Sequence, residues 1–224
     1  MPPTPIDRRT ALQLAGAALI TAPAAAPLFA RDEAPAPLLR RAIPSSGERL
    51  GVIGVGTNRY NPTTDEERMG RKAVLAGLSA AGASVIDTAP SYGESERVIG
   101  DLLAEIGNRG RCFLATKVTA RDGTRAEGEA MLEASRQRLR SDRLDLVQVH
   151  NLVGTEVLLP LLREQVAAKR IRYLGITTSR DPQYAEFEQV MATERLDFVQ
   201  VDYSIANRGA AERLLPLAKD RGMA

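Results

Sequence analysis

Three apolar runs in this chain each end in a polar residue, and they follow one another at nearly equal intervals. Their last residues are Asp87, Lys117 and His150, which is the single histidine of the sequence. The spacings of 30 and 33 residues fit one strand, one helix and two loops. Successive parallel strands place equivalent ends at one edge of a sheet, so we expect these three side chains to meet at one rim.

The same alternation of strands and helices continues along most of the chain. Six strands are predicted, at about 50–56, 84–89, 112–118, 144–150, 172–178 and 198–204. Helices are predicted between them, such as the one over 94–106 with its apolar residues at helical spacing. The sequence therefore predicts an α/β fold of the (β/α)8 TIM-barrel type, incomplete, with about six of the eight βα units. A short hairpin over 42–50 is expected to precede it.

Strand periodicity also predicts which side chains face the helices. Residues two apart on a strand share a face, so Lys117 and His150 are expected to point into the mouth of the barrel. The intervening apolar residues would then meet the helices; they are Ile86, Leu114, Val147 and Val149.

Composition is that of one soluble globular domain with enough apolar residues for a sizeable core. The 224 residues are 44% hydrophobic and 26% charged, with a formal net charge of +2. Basic residues are spread along the chain and only 4% of residues are aromatic, so nothing favours nucleic acid as a partner. Cys112 is the single cysteine, which excludes an intramolecular disulfide and a multi-cysteine metal site, and no metal is expected. The sequence leaves the oligomeric state open.

The amino terminus differs in kind from the rest. Arg8 and Arg9 precede an uncharged, alanine-rich run over 11–30 that contains Pro23 and Pro27. This arrangement resembles a twin-arginine export signal. An uncleaved membrane anchor and an amphipathic helix are the alternatives, although the two prolines and mild hydrophobicity disfavour both.

These features divide the chain into three segments. Residues 1–30 are predicted to be the export signal, 31–41 a proline-containing linker, and 42–224 the barrel-like domain. We expect a periplasmic protein that meets the membrane only through its transient signal, or a membrane-anchored one in the alternative case.

Four polar residues are candidates for chemistry at the predicted rim. A lysine at the end of an apolar strand needs a carboxylate partner, and Asp87 on the preceding strand can supply it to Lys117. An ammonium close to a phenol stabilises the phenolate, so Tyr92 would be able to give or take a proton. His150 would orient a substrate oxygen. The alternative interpretation is a structural ion pair with a structural histidine beside it.

Three motifs resemble the aldo/keto reductase superfamily. The first reads VIDTAPSYGESE at 85–96 and runs from the second predicted strand into the segment after it. The others are FLATK at 113–117, within the third predicted strand, and DLVQVHN at 145–151, which covers the end of the fourth. The resemblance runs from about residue 43 to the last residue.

The resemblance implies a catalytic tetrad and a cofactor. Asp87, Tyr92, Lys117 and His150 would form the tetrad of an NADP(H)-dependent oxidoreductase. Hydride would pass from the nicotinamide to the carbonyl carbon of a small aldehyde or ketone, while Tyr92 protonates the oxygen. The family and substrate class are expectations at this point, and the particular carbonyl compound is not indicated.

The same resemblance nominates cofactor-binding positions at the ends of three strands. Gly56 and Thr57 would border the cofactor at the first strand. Thr177 and Thr178, where the family often has serine followed by asparagine, would hold the carboxamide together with Gln200.

Two further functions stay open at this stage. The predicted strands stop before a seventh, and the family carries its nicotinamide-stacking and phosphate-binding groups on the seventh and eighth. We therefore expect the 224-residue chain alone to bind NADPH weakly, and a catalytically inactive truncated barrel is one alternative. A regulatory or binding protein of the same fold is the other.

Overall fold

A computed structural model of the chain describes residues 38–224. The predicted export signal at 1–30 and most of the predicted linker at 31–41 lie outside the described residues and stay predictions. Among the described helices, none combines the length and apolar character needed to cross a bilayer.

The described chain alternates strands with helices. The strands are β1 Arg40–Ala42, β2 Arg49–Gly51, β3 Gly54–Gly56, β4 Val85–Asp87, β5 Phe113–Val118, β6 Leu144–His150, β7 Ile171–Thr178 and β8 Phe198–Val201. The helices are α1 Asp65–Ala80, α2 Ser95–Ile106, α3 Arg125–Leu139, α4 Thr155–Ala167, α5 Tyr184–Thr193 and α6 Leu214–Asp220. Short 3-10 turns lie at Arg109–Arg111, Asp181–Gln183 and Gly209–Ala211.

Six parallel strands curl into part of a (β/α)8 barrel, as the sequence predicts. The strand order β3-β4-β5-β6-β7-β8 follows the chain, so each strand pairs with the next one through a helical crossover. The register pairs Gly56 with Asp87, Lys117 with Gln148, and His150 with Thr177. The carboxyl ends that carry the candidate residues therefore lie along one rim.

The first predicted strand, at 50–56, is wrong as a single element. Its first part, Arg49–Gly51, pairs antiparallel with Arg40–Ala42, and its last part, Gly54–Gly56, pairs parallel with β4. The two parts cannot form one strand because the first belongs to an antiparallel pair and the second to a parallel one, and the two pairs have different hydrogen-bond patterns. The predicted strands at 84–89 and 198–204 are also shorter in the structure, where they end at Asp87 and Val201.

The hairpin lies against the interior of the curled sheet. Ile43 follows β1 and packs with Phe113 and Tyr173 in a cluster on the concave face. The Tyr173 hydroxyl reaches the hairpin turn, where it donates to Ser46 Oγ at 2.7 Å or to Glu48 Oε2 at 2.6 Å. The hairpin therefore closes the end of the barrel opposite the candidate residues.

The main core lies between the sheet and the helices. Ile86, Leu114, Val147 and Val149 are fully buried there among helix residues, which confirms the predicted strand phase. Helix α2 begins one residue later than predicted and ends at Ile106, where Gly107 caps it with a left-handed φ of 72° that suits glycine. Its buried face carries the residues that helical spacing indicated, among them Ile99 and Leu102.

Two glycines in helices provide a stability test with opposite expected signs. A Cβ at Gly100 in α2 would lie 2.1 Å from the Arg138 carbonyl oxygen, whereas a Cβ at Gly77 in α1 would meet nothing within 4 Å. We expect Gly100→Ala to lower the free energy of unfolding by about 2 kcal/mol through this clash. We expect Gly77→Ala to raise it by about 0.5 to 1 kcal/mol through helix propensity. Urea unfolding of both variants checks this, and a stabilising Gly100→Ala would contradict the tight helix packing.

The outer strands among those described are β3 and β8. At β8, the Ala224 backbone N–H donates to the Asp197 carbonyl at 2.8 Å, and the Ala224 carbonyl accepts from the Val199 N–H at 2.9 Å. Ala224 is thus held alongside β8 in the manner of a parallel neighbour.

Candidate active site

A buried lysine anchors the candidate site. The Lys117 side chain is 2% exposed, and its Nζ donates to Asp87 Oδ1 at 2.8 Å, to Asp87 Oδ2 at 2.9 Å and to the Thr88 carbonyl at 2.8 Å. An ammonium has three donors, so these contacts fix it in one position. Asp87 is 22% exposed, so the carboxylate side of the pair is partly in contact with solvent. The structure brings this predicted pair together.

Tyr92 lies directly beside this pair. Its ring centroid is 5.0 Å from Lys117 Nζ and 6.1 Å from the His150 ring centroid, with the two rings almost perpendicular at 83°. The turn that carries it depends on Gly93, whose φ is 62° and where a Cβ would come 3.1 Å from Asn61 Oδ1. Asn61 in turn accepts from the Glu94 N–H at 2.7 Å. All four residues of the predicted tetrad therefore converge.

His150 is held in its neutral form. The pKa of its imidazole falls from 6.5 to about 4, chiefly because the ring is buried and also because the positive charge of Lys117 disfavours protonation, against the opposing charge of Asp87. A smaller contribution from Arg121 acts in the same direction as Lys117. At neutral pH the ring carries one N–H and one free nitrogen, so it can donate a single hydrogen bond to a ligand oxygen.

A titration of the single histidine checks this environment. We expect the His150 ring resonances, followed by NMR, to titrate with a midpoint near pH 4, well below 6.5. Lys117→Met should move the midpoint upward because it removes a cation that disfavours the imidazolium. A midpoint at or above 6.5 in the unaltered chain would show that the ring is not desolvated.

The lowered pKa of His150 also makes the free energy of unfolding depend on pH. The unfolded chain takes up a proton at His150 from about pH 6.5 downward, while the folded chain does not until about pH 4. This group therefore contributes stability above pH 6.5 that is lost as the pH falls through that window.

The residues after His150 adopt a left-handed backbone. Asn151 and Leu152 have φ values of 52° and 60°, a conformation that costs energy for a leucine. The turn is tied to the loop after β7, because the Asn151 carbonyl accepts from Gln183 Nε2 at 2.9 Å. Consecutive strained residues of this kind concentrate at functional sites.

Two of the predicted cofactor residues lie on the concave face next to His150. The register places Thr177 opposite His150, and Gln200 opposite Thr177. Gln200 Oε1 accepts from Gln148 Nε2 at 2.8 Å, and the Gln148 Oε1 atom is buried without a hydrogen-bond donor among the described residues. This region therefore offers an unused amide acceptor inside the barrel.

The other predicted cofactor residues are placed differently. The Thr57 hydroxyl is buried and donates to the Asp87 carbonyl at 2.8 Å, so it holds the backbone of the site. Gly56 lies opposite Asp87 and a Cβ there would meet open space. The Thr178 hydroxyl donates to Gln183 Oε1 at 2.7 Å, on the face opposite Thr177. Adjacent strand residues point to opposite faces, so the Thr178 side chain does not reach the concave side.

A cavity of about 660 Å³ opens at this rim. Lys117, His150 and Ser91 line it, together with loop residues that the sequence analysis did not single out, chiefly Arg121 and Arg180. These two arginines lie in loops that carry no strand or helix periodicity, so no sequence pattern pointed to them. Tyr60 does not line this cavity; it is buried in the core, where its hydroxyl donates to the Arg71 carbonyl at 2.9 Å.

The chain matches known proteins over most of its length. Residues 52–224 match the model of the aldo/keto reductase family. Aldo-keto reductase YhdN of Bacillus subtilis is 32% identical over 184 residues, which cover 76% of this chain and 54% of that protein. Methylglyoxal reductase YeaE of Escherichia coli is 28% identical over 178 residues, covering 78% of this chain and 62% of the relative.

A solved structure shares the architecture as well. An aldo/keto reductase from Klebsiella pneumoniae, crystallised with NADP and acetate, superposes with a TM-score of 0.66 and is 27% identical; the alignment covers 79% of this chain and 63% of that one. The chain spans about half to two thirds of the length of these three relatives. On the family match and the YhdN similarity together, this chain belongs to the aldo/keto reductase family.

Proposed function

We propose that this chain carries the catalytic residues of an NADP(H)-dependent reductase that converts a small aldehyde or ketone to an alcohol. The observation that supports this most strongly is the placement of Tyr92 between Lys117 and His150, at 5.0 Å and 6.1 Å by ring centroid. A phenol, a buried ammonium and a neutral imidazole this close together can supply a proton to an oxygen and bind that oxygen at the same time.

Each residue has a separate role in this proposal. Tyr92 donates the proton to the carbonyl oxygen, and the N–H of neutral His150 binds and orients that oxygen. Lys117, whose position is fixed by Asp87 and Thr88, stabilises the negative charge that develops on the phenol. In the direction of alcohol oxidation the same groups accept the proton.

The concave face next to His150 fits a nicotinamide. When bound, NADPH supplies the hydride that the carbonyl carbon receives. Gln148 Oε1 is a buried acceptor without a donor among the described residues, and an amide N–H of the ligand would satisfy it. Gln200 and Thr177 adjoin it and would bind the rest of the carboxamide, and Gly56 leaves room for close approach. The NADP complex of the Klebsiella relative supports the choice of cofactor.

Isotope transfer tests this function directly. With NADPH that carries deuterium at the transferred position, the 224-residue chain should convert an aldehyde into an alcohol with one deuterium on the former carbonyl carbon. Mass spectrometry of the product measures it, and the control is the same reaction with deuterated water and unlabelled NADPH. Loss of the label to solvent, or no reduction of any aldehyde at saturating NADPH, would contradict the proposal.

A further inference from the structure

Two arginines flank the cavity from neighbouring loops. Arg121 follows β5 and Arg180 follows β7, while His150 ends β6, which lies between those strands in the sheet. All three side chains line the same cavity. A ligand whose carbonyl oxygen meets His150 therefore has a guanidinium on either side.

Neither guanidinium is neutralised by the described part of the chain. Among the residues of 38–224, no carboxylate lies within 4.0 Å of Arg121 or Arg180. The acidic residue that lines the cavity is Glu127, and its Oε2 already accepts from the Asp122 N–H at 2.9 Å. Lys117 is paired with Asp87. The cavity walls thus carry excess positive charge.

The rest of the wall is largely apolar. Pro90, Val118, Met131 and Val153 line it between the polar groups. Such a surface favours a ligand with an apolar body and a separate anionic end, because an arginine binds a carboxylate through two parallel hydrogen bonds. The effect of Arg121 on the pKa of His150 indicates that its charge is felt inside the site.

We propose that the cavity selects carbonyl compounds that carry a carboxylate away from the carbonyl group, and that Arg121 and Arg180 bind this carboxylate. The carbonyl part of this inference rests on the proposed function, whereas the binding of the carboxylate can be measured without turnover.

A matched pair of ligands tests it. Binding of para-carboxybenzaldehyde and of its methyl ester to the 224-residue chain is measured by calorimetry at near-neutral pH and low salt. We expect the acid to bind about tenfold or more tightly than the ester, the worth of one charge-assisted hydrogen bond. The double variant Arg121→Gln/Arg180→Gln should remove this preference without weakening the ester.

The control is Arg111→Gln. Arg111 is an exposed arginine in the turn before β5, and it does not line this cavity. The Arg111→Gln variant should still bind the acid more tightly than the ester. Equal affinity for acid and ester in the unaltered chain, no binding of either, or an equal loss in Arg111→Gln would overturn the proposal.

Turnover separates this inference from the proposed function. If the ester is reduced and the acid is not preferred, the carboxylate site is wrong and the reductase stands. If the acid binds through the two arginines but neither compound is reduced, the anion site stands and the reductase proposal fails.

Discussion

Replacement of Tyr92 by phenylalanine is expected to lower kcat for aldehyde reduction by about a hundred- to ten-thousandfold, the usual worth of a positioned general acid. The variant keeps the aromatic ring that lies 5.0 Å from Lys117 Nζ and 6.1 Å from the His150 ring, and it loses only the hydroxyl. The affinity for NADPH should stay within about twofold, because the proton donor acts mainly in the transition state. Steady-state kinetics and a fluorescence titration measure the two quantities.

Tyr60→Phe is the matched control. Tyr60 also loses one hydroxyl, but that hydroxyl donates to the Arg71 carbonyl inside the core, and the ring packs with Arg71 instead of Lys117 and His150. The control should lose about 1 kcal/mol of stability and little activity. Turnover of Tyr92→Phe equal to that of the control would refute Tyr92 as the proton donor.

Replacement of Asp87 by asparagine is expected to lower the free energy of unfolding by about 3 kcal/mol or more. Lys117 is 2% exposed, and Asp87 supplies two of its three acceptors. Asparagine keeps the shape but removes the charge, which leaves a buried ammonium without a counterion. Lys117→Met should cost clearly less, because the carboxylate left behind is 22% exposed and is partly solvated. Urea unfolding of both variants measures the difference.

An exposed ion pair on the surface provides the reference for the cost of removing one partner. Arg125 and Glu164 are 46% and 57% exposed, so Glu164→Gln should cost no more than about 1 kcal/mol. The double variant Asp87→Asn/Lys117→Met should be more stable than Asp87→Asn alone, since it also removes the buried ammonium that has no counterion. If Asp87→Asn behaves like Glu164→Gln, the lysine is not as dehydrated as its burial indicates.

The positions of the tetrad were predictable because strand ends obey geometry. Asp87, Lys117 and His150 each close an apolar run, and the nearly constant spacing places those ends on one rim without reference to side-chain detail. Tyr92 followed from its closeness to Asp87 in the sequence and from the family motif. Their roles in catalysis stay predictions.

Other features were beyond sequence patterns. The run at 50–56 is apolar throughout, so nothing in it marks the point where the chain leaves the hairpin for the barrel. Arg121 and Arg180 reach the cavity through loop conformations that periodicity does not encode. Thr177 and Thr178 face opposite sides of β7, as adjacent strand residues do, and the cofactor-binding roles predicted for both stay predictions.

The hydrogen bonds of Ala224 with Asp197 and Val199 have a practical consequence for protein engineering. A peptide fused after Ala224 would begin alongside β8, so a tag with high β-propensity would extend the sheet and favour aggregation. An affinity tag or fluorescent reporter joined there is therefore better separated from Ala224 by a glycine- and proline-containing spacer that cannot continue the ladder.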